Sequence, residues 1–570
     1  MIHIIMANEK LKSCHFNQRI TNANNIKIKN NLLKEILSIN KNESNNNNKS
    51  KIIYNKSSLI NEKIMNNKKK ETFIYKSYIE IENKNNSKLN SISLNLLNDK
   101  SFKIKNKYLL KNKKLYFFLF YILINLIIPV NSNINSRKLN VYNSEITIKI
   151  NGIGNQIIIN NNNCPNEIYI NETKVGENVC SLFLTEEKTI IKMIWFNPLL
   201  SCSKMFSSLN NIKEVDLSKF NSLNVTTTFG MFQDCFSLES INFTNFNTSN
   251  VISMVNMFRN CKNLKSLDIS NFNTSKVIYM QQLFYNCSSL ESINLSNFDT
   301  SKVSDMRYMF YNCVKLKSLD ISNFNTKNVI YMHNFFDKCN SLTSLNLSHF
   351  DTSSVTDMSN MFRDCINLKT LDISNFNTSK VIDIYQLFWN CTSLTSLNLS
   401  HFDTSNVVKM QSMFLGCTHL KSLDISKFNT SKAVNMLQLF AHCNSLTSLN
   451  LSHFDTSSVT QMQNMFRNCY NLKSLDISNF NTSKVTNMLQ FFVNCTSLSS
   501  LNLSHFDTSS VTQMQSMFRY CINLQYINMK NSIEYNNLYY NYIFEYIPEN
   551  IVYCVNQDKA PNINRILKNK

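Results

Sequence analysis

Twelve cysteines, Cys235, Cys261, Cys287, Cys313, Cys339, Cys365, Cys391, Cys417, Cys443, Cys469, Cys495 and Cys521, follow one another at a constant step of 26 residues. A period this strict marks one structural unit copied along the chain. A unit of that size cannot bury a core alone, and only its neighbours can cover its apolar faces. The chain is therefore read as a stack of rungs, a solenoid.

The stretch after Cys261 defines one rung. Leu267 and Ile269 alternate with Ser266, Asp268 and Ser270, the period-two pattern of a short strand with one buried face, and Leu264 turns into the same core. Phe272 follows the strand and recurs as Phe220, Phe246, Phe298 and onward to Phe506. The spacing then changes: Val277, Met280, Leu283 and Phe284 gather on one side of a short helix or 3₁₀ segment, with Thr274 and Ser275 placed to cap it. A second phenylalanine column runs from Phe206 through Phe232 and Phe258 to Phe518, so about thirteen rungs fill residues 205–530. The first rung carries Leu209 where the cysteine belongs, as expected of a capping repeat.

A slower pattern has a period of two rungs. Rungs with Asp268, Asp320, Asp372, Asp424 and Asp476 in the strand carry Asn273, Asn325, Asn377, Asn429 and Asn481 after the Phe. The rungs between them invert this, as with Asn294 and Asp299. In an in-register parallel stack, like positions lie about 5 Å apart, and carboxylates that close oppose one another's ionisation. Alternation removes that repulsion and leaves an amide to bridge neighbouring carboxylates. Duplication of a two-rung cassette explains the same pattern without electrostatics.

The unit Leu394-Thr-Ser-Leu397-Asn-Leu399-Ser-His-Phe402-Asp-Thr-Ser, continued by Val407, Met410, Met413-Phe414 and Cys417, resembles the BspA-like leucine-rich repeat family of surface proteins. The resemblance covers a little over half the chain. It implies a leucine-rich repeat solenoid of α/β repeat type, with short parallel strands on one face and short helical segments on the other. It also implies a cell-surface setting, with adhesion or host contact as common roles, and it brings no catalytic residues.

Outside the repeats the chain changes character. Residues 1–114 hold 24 Lys and Arg against 8 Asp and Glu, so 16 of the 21 net positive charges sit there among Asn-rich runs. That composition reads as a disordered, solvated leader; nucleic acid is not an expected partner. Lys111-Asn-Lys-Lys114 then precedes an apolar run, Leu115 to Val130, interrupted by Asn125. This is the pattern of a signal-peptide h-region or a signal-anchor. Uncleaved, it would tie the chain to a membrane with the N-terminus cytoplasmic; the alternative is a buried core element. Residues 141–204, with strand-like runs at Glu145–Ile150 and Gln156–Asn160, should cap the first rung, and 531–570 the last. Disulfides are expected among the cap cysteines Cys164, Cys180, Cys202 and Cys554, with connectivity open.

The ladder cysteines stand one to a rung, without the clustered spacing of a zinc site, and are expected to be buried free thiols. His349, His401, His453 and His505 recur every 52 residues, too far apart for adjacent members to share an ion, and read as surface turn residues, with a pH-sensitive strip as the lesser alternative. Sequons such as Asn273-Thr-Ser and Asn390-Cys-Thr are what a chain rich in Asn, Ser and Thr generates by composition. With five glycines there is no nucleotide-binding loop, and no rung carries a triad or acid–base pair, so neither enzyme activity nor a cofactor is expected.

The expected working surface is the exposed strand face. Its candidate binding residues are Lys265, Asp268, Lys317, Asp320, Lys369, Asp372, Lys421, Asp424, Lys473 and Asp476. A broad polar face of this kind suits a protein or glycan ligand on another surface better than a small molecule. The alternatives are an architectural coat or wall protein assembling through its repeats, and a cytoplasmic scaffold.

Overall fold

The computed structural model describes residues 144–534 and 538–570. The Lys/Asn-rich leader and the apolar run 115–130 lie outside the described residues. What is described is a solenoid of the leucine-rich repeat class, in which like residues of successive rungs lie over one another.

Two hydrogen-bonded faces hold the stack. On one, short strands pair in parallel and in register, as Ser344 with Thr370, Leu345 with Leu371 and Asn346 with Asp372. On the other, single residues from Ser201 through Thr227, Ser253 and Tyr279 to Tyr539 bridge in one unbroken parallel series. The strand face is interrupted by comparison. Between Ser344 and Asp476 it falls into three two-rung sheets, each joining an Asn-bearing strand to the Asp-bearing strand after it. The two-rung period of the sequence thus has a structural counterpart.

The second face corrects the expected helices. Residues 254–261 form a chain of overlapping β-turns. Met257, Arg259 and Cys261 close turns on the carbonyls of Met254, Asn256 and Phe258, while Met254, Asn256, Phe258 and Asn260 donate their N–H groups to Tyr279, Gln281, Leu283 and Tyr285 of the next rung. A helix keeps its N–H groups within its own segment; here every second one knits two rungs together. The turns require left-handed backbone at two positions per rung, as at Asn256 (φ 58°) and Asn260 (φ 61°), and the same columns hold Gly230 and Gly416. Because a chain of turns also points residues i, i+3, i+4 and i+7 inward, Met254, Met257, Phe258 and Cys261 are buried as a helix would bury them.

The expected helix cap is a different device. Eleven threonines, Thr248 to Thr508, are buried, and each hydroxyl donates to a backbone carbonyl 25 residues ahead at 2.8–3.0 Å. Several also accept an N–H from that same residue, as Thr300 does from Asn325. The hydroxyl therefore satisfies buried backbone of the neighbouring rung.

Inside, the second phenylalanine column stacks in thirteen consecutive pairs from Phe206 to Phe544, with ring centroids 5.3–5.9 Å apart and interplanar angles of 1–16°. Phe544 carries the column one member beyond the repeats read from the sequence.

At the N-terminal end, β1 (Ser144–Asn151), β2 (Gly154–Ile157), β3 (Glu167–Ile170), β4 (Thr173–Gly176), β5 (Ser181–Leu184) and β6 (Lys188–Trp195) precede the first repeat strand, β7 (Ile212–Asp216). β1 pairs antiparallel with both β6 and β7, so the edge of β7 is covered. Cys164 and Cys180 form a disulfide there, whereas Cys202 is a free buried thiol in a column otherwise filled largely by methionine. At the other end the parallel pairing continues through Val552–Val555, and helix α1 (Pro561–Lys568) follows. The Glu534 carboxylate accepts the N–H groups of Asn562 and Ile563, capping that helix from outside it.

Candidate functional site

All ten candidate residues lie exposed on the strand face. The strand pleat explains this: Leu267 and its equivalents point into the core, leaving positions on either side outward. Their side chains run as two separate columns, and no ion pair joins any two of the ten.

The aspartates are not bridged to neighbouring rungs through an intervening amide, contrary to expectation. Each turns back on its own rung: the N–H groups of Ser270, Ser322, Ser374, Ser426 and Ser478 donate to Asp268, Asp320, Asp372, Asp424 and Asp476 at 3.0–3.1 Å. The same serines hold all five carboxyls below their ordinary value, through hydroxyl and N–H together. Asn294 and its equivalents make the same turn with their side-chain oxygen. Asp and Asn therefore serve one local role, and only their charge differs.

The lysine column divides along its length. It begins Lys213, Glu239, Lys265, Glu291, Lys317, with Lys213 paired to Glu239 at 2.8 Å and Lys317 to Glu291 at 3.0 Å. From there on, the acids give way to Thr343, Thr395, Thr447 and Ser499, so Lys369, Lys421 and Lys473 alternate with neutral hydroxyls. These three should stand about 10 Å apart given the strand spacing.

The histidine column lies at the surface, with His349 and His453 exposed and His401 and His505 half-buried, and its rings are tied to the rung before. Nε2 of His349, His401 and His453 lies 2.9 Å from the carbonyl of Ile321, Ile373 and Ile425 in the preceding rung. Asn323 fills the same position in its rung with the same kind of bond. For His505, burial lowers the pKa.

The ladder thiols are free, buried, and bonded. Each donates to a phenylalanine carbonyl of the preceding rung at 2.9–3.3 Å. Burial pushes them upward, to about 12 at Cys313 and Cys417. Since the thiolate is the reactive form, Cys554 is expected to be the one thiol among the described residues that reacts with a maleimide in the native state. Mass spectrometry of the labelled protein before and after guanidinium unfolding checks this; a ladder cysteine labelled in the native state would contradict it.

One surface was not singled out from the sequence. The side chains that vary from rung to rung lie on the turn face, in the columns of Arg307 and Arg259, while the strand face repeats with little change. Tabulating those columns would have revealed it.

One family model, described as "Mycoplasma protein of unknown function, DUF285", matches the chain over residues 200–318, 280–394, 366–450 and 435–542. No curated protein matches it. Among solved structures, the chain matches one from the TLR13–ssRNA13 complex at 19% identity, over 56% of this chain and 50% of that one, with a TM-score of 0.20. It thus spans about half the length of that structure. A leucine-rich repeat protein of Leptospira interrogans matches at 13% identity over 63% and 89% of the two chains, TM-score 0.18. The functional domain of InlJ from Listeria monocytogenes, described as including a cysteine ladder, matches at 12% over 62% and 67%, TM-score 0.15.

Proposed function

The chain belongs to the DUF285 family, and from that premise we propose that it is a cell-surface or secreted binding protein that adheres to another macromolecule through its strand face. The observation that carries this reading is the run of Lys369, Lys421 and Lys473, which face hydroxyls rather than acids on an otherwise uniform face. Cations at a regular step suit a ligand that itself repeats, an extended glycan or protein bearing acidic groups. Many weak contacts in register then add up to one firm attachment. The BspA-like resemblance supports the surface setting and a non-enzymatic role. Among the described residues no helix is long and apolar enough to cross a membrane, so attachment to a membrane rests on residues 115–130. Protease shaving of intact cells tests the setting: a solenoid cleaved only after lysis would refute it.

The binding reading is tested by Lys369→Glu, Lys421→Glu and Lys473→Glu together. Adhesion should fall at least about tenfold, on the order of 1.4 kcal/mol shared over three contacts. The thermal midpoint should stay near that of the parent, because exposed charges contribute little to stability. Unchanged adhesion with the fold intact would reject the strand face. Loss of self-assembly without loss of adhesion would favour an architectural coat.

A further inference from the structure

All five arginines between residues 205 and 530 lie on the turn face: Arg307 in one column, and Arg259, Arg363, Arg467 and Arg519 in the column four positions on. Lysines in the same region occur on other faces as well, so this placement is not a general use of positive charge. From Arg259 to Trp389 these columns and their neighbour also hold Tyr285, Tyr308, Tyr311 and His333. Farther on, the same two columns hold Leu415, Leu437, Ala441, Leu489 and Val493. Three of the five guanidiniums, Arg259, Arg307 and Arg363, thus share six successive rungs with these rings, while Arg467 stands among apolar neighbours in its column and Arg519 packs on a separate aromatic group, Tyr520, Tyr542 and Tyr546, at the C-terminal end.

The groups are also locked together. The Arg259 guanidinium lies over the Tyr285 ring at 4.7 Å, and Tyr311 stacks on Tyr285 at 4.5 Å. Column order puts these two on opposite sides of Tyr285. Arg363 covers Trp389 at 4.5 Å, and Tyr308 stands edge-on to His333 at 5.3 Å. All of these side chains are half-buried. A ligand therefore meets ring edges, phenolic hydroxyls and guanidinium edges, already fixed in one arrangement.

We propose that the turn face from Arg259 to Trp389 is a docking surface for a folded protein that presents carbonyl and carboxylate acceptors. Three observations select that partner. Tyrosine, tryptophan and arginine are the residues that dominate protein–protein hot spots, whereas glutamate and lysine are depleted there. The stretch holds no glutamate or lysine in these columns, although the buried Asp337 lies among them, and its guanidiniums have acids at hand: Arg307 is paired with Asp305 at 2.7 Å and Arg363 lies 3.5 Å from Asp364. A polyanion is therefore not favoured. The covered faces of Tyr285 and Trp389 leave little open ring for a sugar to stack on. Rings and guanidiniums that are already immobilised lose little freedom on binding. The proposal is independent of whether the strand face binds anything.

The test uses the full chain with p-benzoylphenylalanine at position 285, 311 or 389, irradiated on the cells that produce it. Positions 415 and 489, in the same columns, are the controls. The expected result is one discrete adduct containing peptides of a second protein, formed from 285, 311 and 389 and not from the controls. With the probe at 311, Arg259→Ala plus Arg363→Ala should lower its yield about tenfold, while native resistance to proteolysis reports that the solenoid is still folded. Equal labelling from the control positions, adducts made only with a second copy of this chain, or adducts with protein-free, periodate-sensitive material would each overturn the proposal. So would an adduct whose yield is unchanged in the folded double variant.

Discussion

Replacing Phe362 with alanine is expected to destabilise the solenoid by about 3–5 kcal/mol, the range for truncating a buried aromatic ring. Phe362 is fully buried and stacked between Phe336 at 5.9 Å and Phe388 at 5.6 Å. Its removal takes away two ring contacts and leaves a void that the hydrogen-bonded rungs on both faces hold open. The consequence should exceed a simple loss of stability. In a stack where each rung touches only its neighbours, cooperativity passes through every interface in turn. A defect at the middle is therefore expected to split guanidinium unfolding into two transitions, one for the rungs on each side. Phe362→Leu, which keeps most of the volume, should retain a single transition. Calorimetry and hydrogen exchange read both effects, and a loss below about 1 kcal/mol would show that the ring column is not the core of the stack.

The second large effect concerns one carboxylate. Asp337 is fully buried on the turn face, and burial pushes its pKa up from the ordinary aspartate value to about 6. The groups around it pull the other way without prevailing. Asn334 donates to Oδ2 at 2.7 Å, the Arg363 Nε is 3.8 Å away, and Lys338 also favours the charge, while Asp364 opposes it. Since the folded pKa lies above the unfolded one, the native state holds the proton more tightly. Its contribution is most favourable below pH 4 and declines as pH rises from about 4 to 6, by about 3 kcal/mol in all. Asp337→Asn should remove this dependence. The variant should therefore gain stability relative to the parent between pH 4 and pH 7, measured as the difference in unfolding free energy at the two pH values. A difference that is flat across that window would mean that Asp337 titrates near its ordinary value.

Several features were legible because periodicity alone fixes them. Phe206, Phe272 and Cys261 recur at one step, and only a stack can bury them all, so the solenoid and its columns follow from the sequence. The inward set Val277, Met280, Leu283 and Phe284 was also legible, but its backbone was not. A helix and a chain of β-turns bury the same spacing, and they differ in whether alternate N–H groups bond within the segment or to the next rung. Asn256 and Asn260 carried a hint, since asparagine tolerates the left-handed backbone those turns need. The arginine placement was present in the sequence as well, though it has meaning only once the turn face is known to be a surface.

By itself the sequence determined the repeat, its register and which residues face the core, because a 26-residue unit with one apolar side has no other way to leave water. Tertiary structure decided what the polar atoms do. Thr274, the expected helix cap, bonds the carbonyl of Asp299 in the next rung, and Asp268 turns back on Ser270 instead of reaching another rung. Cys180 pairs with Cys164 and leaves Cys202 buried among the core residues. Each of these choices depends on which partner lies within about 3 Å, the reach of a hydrogen bond. That distance is set only when one rung lies on another.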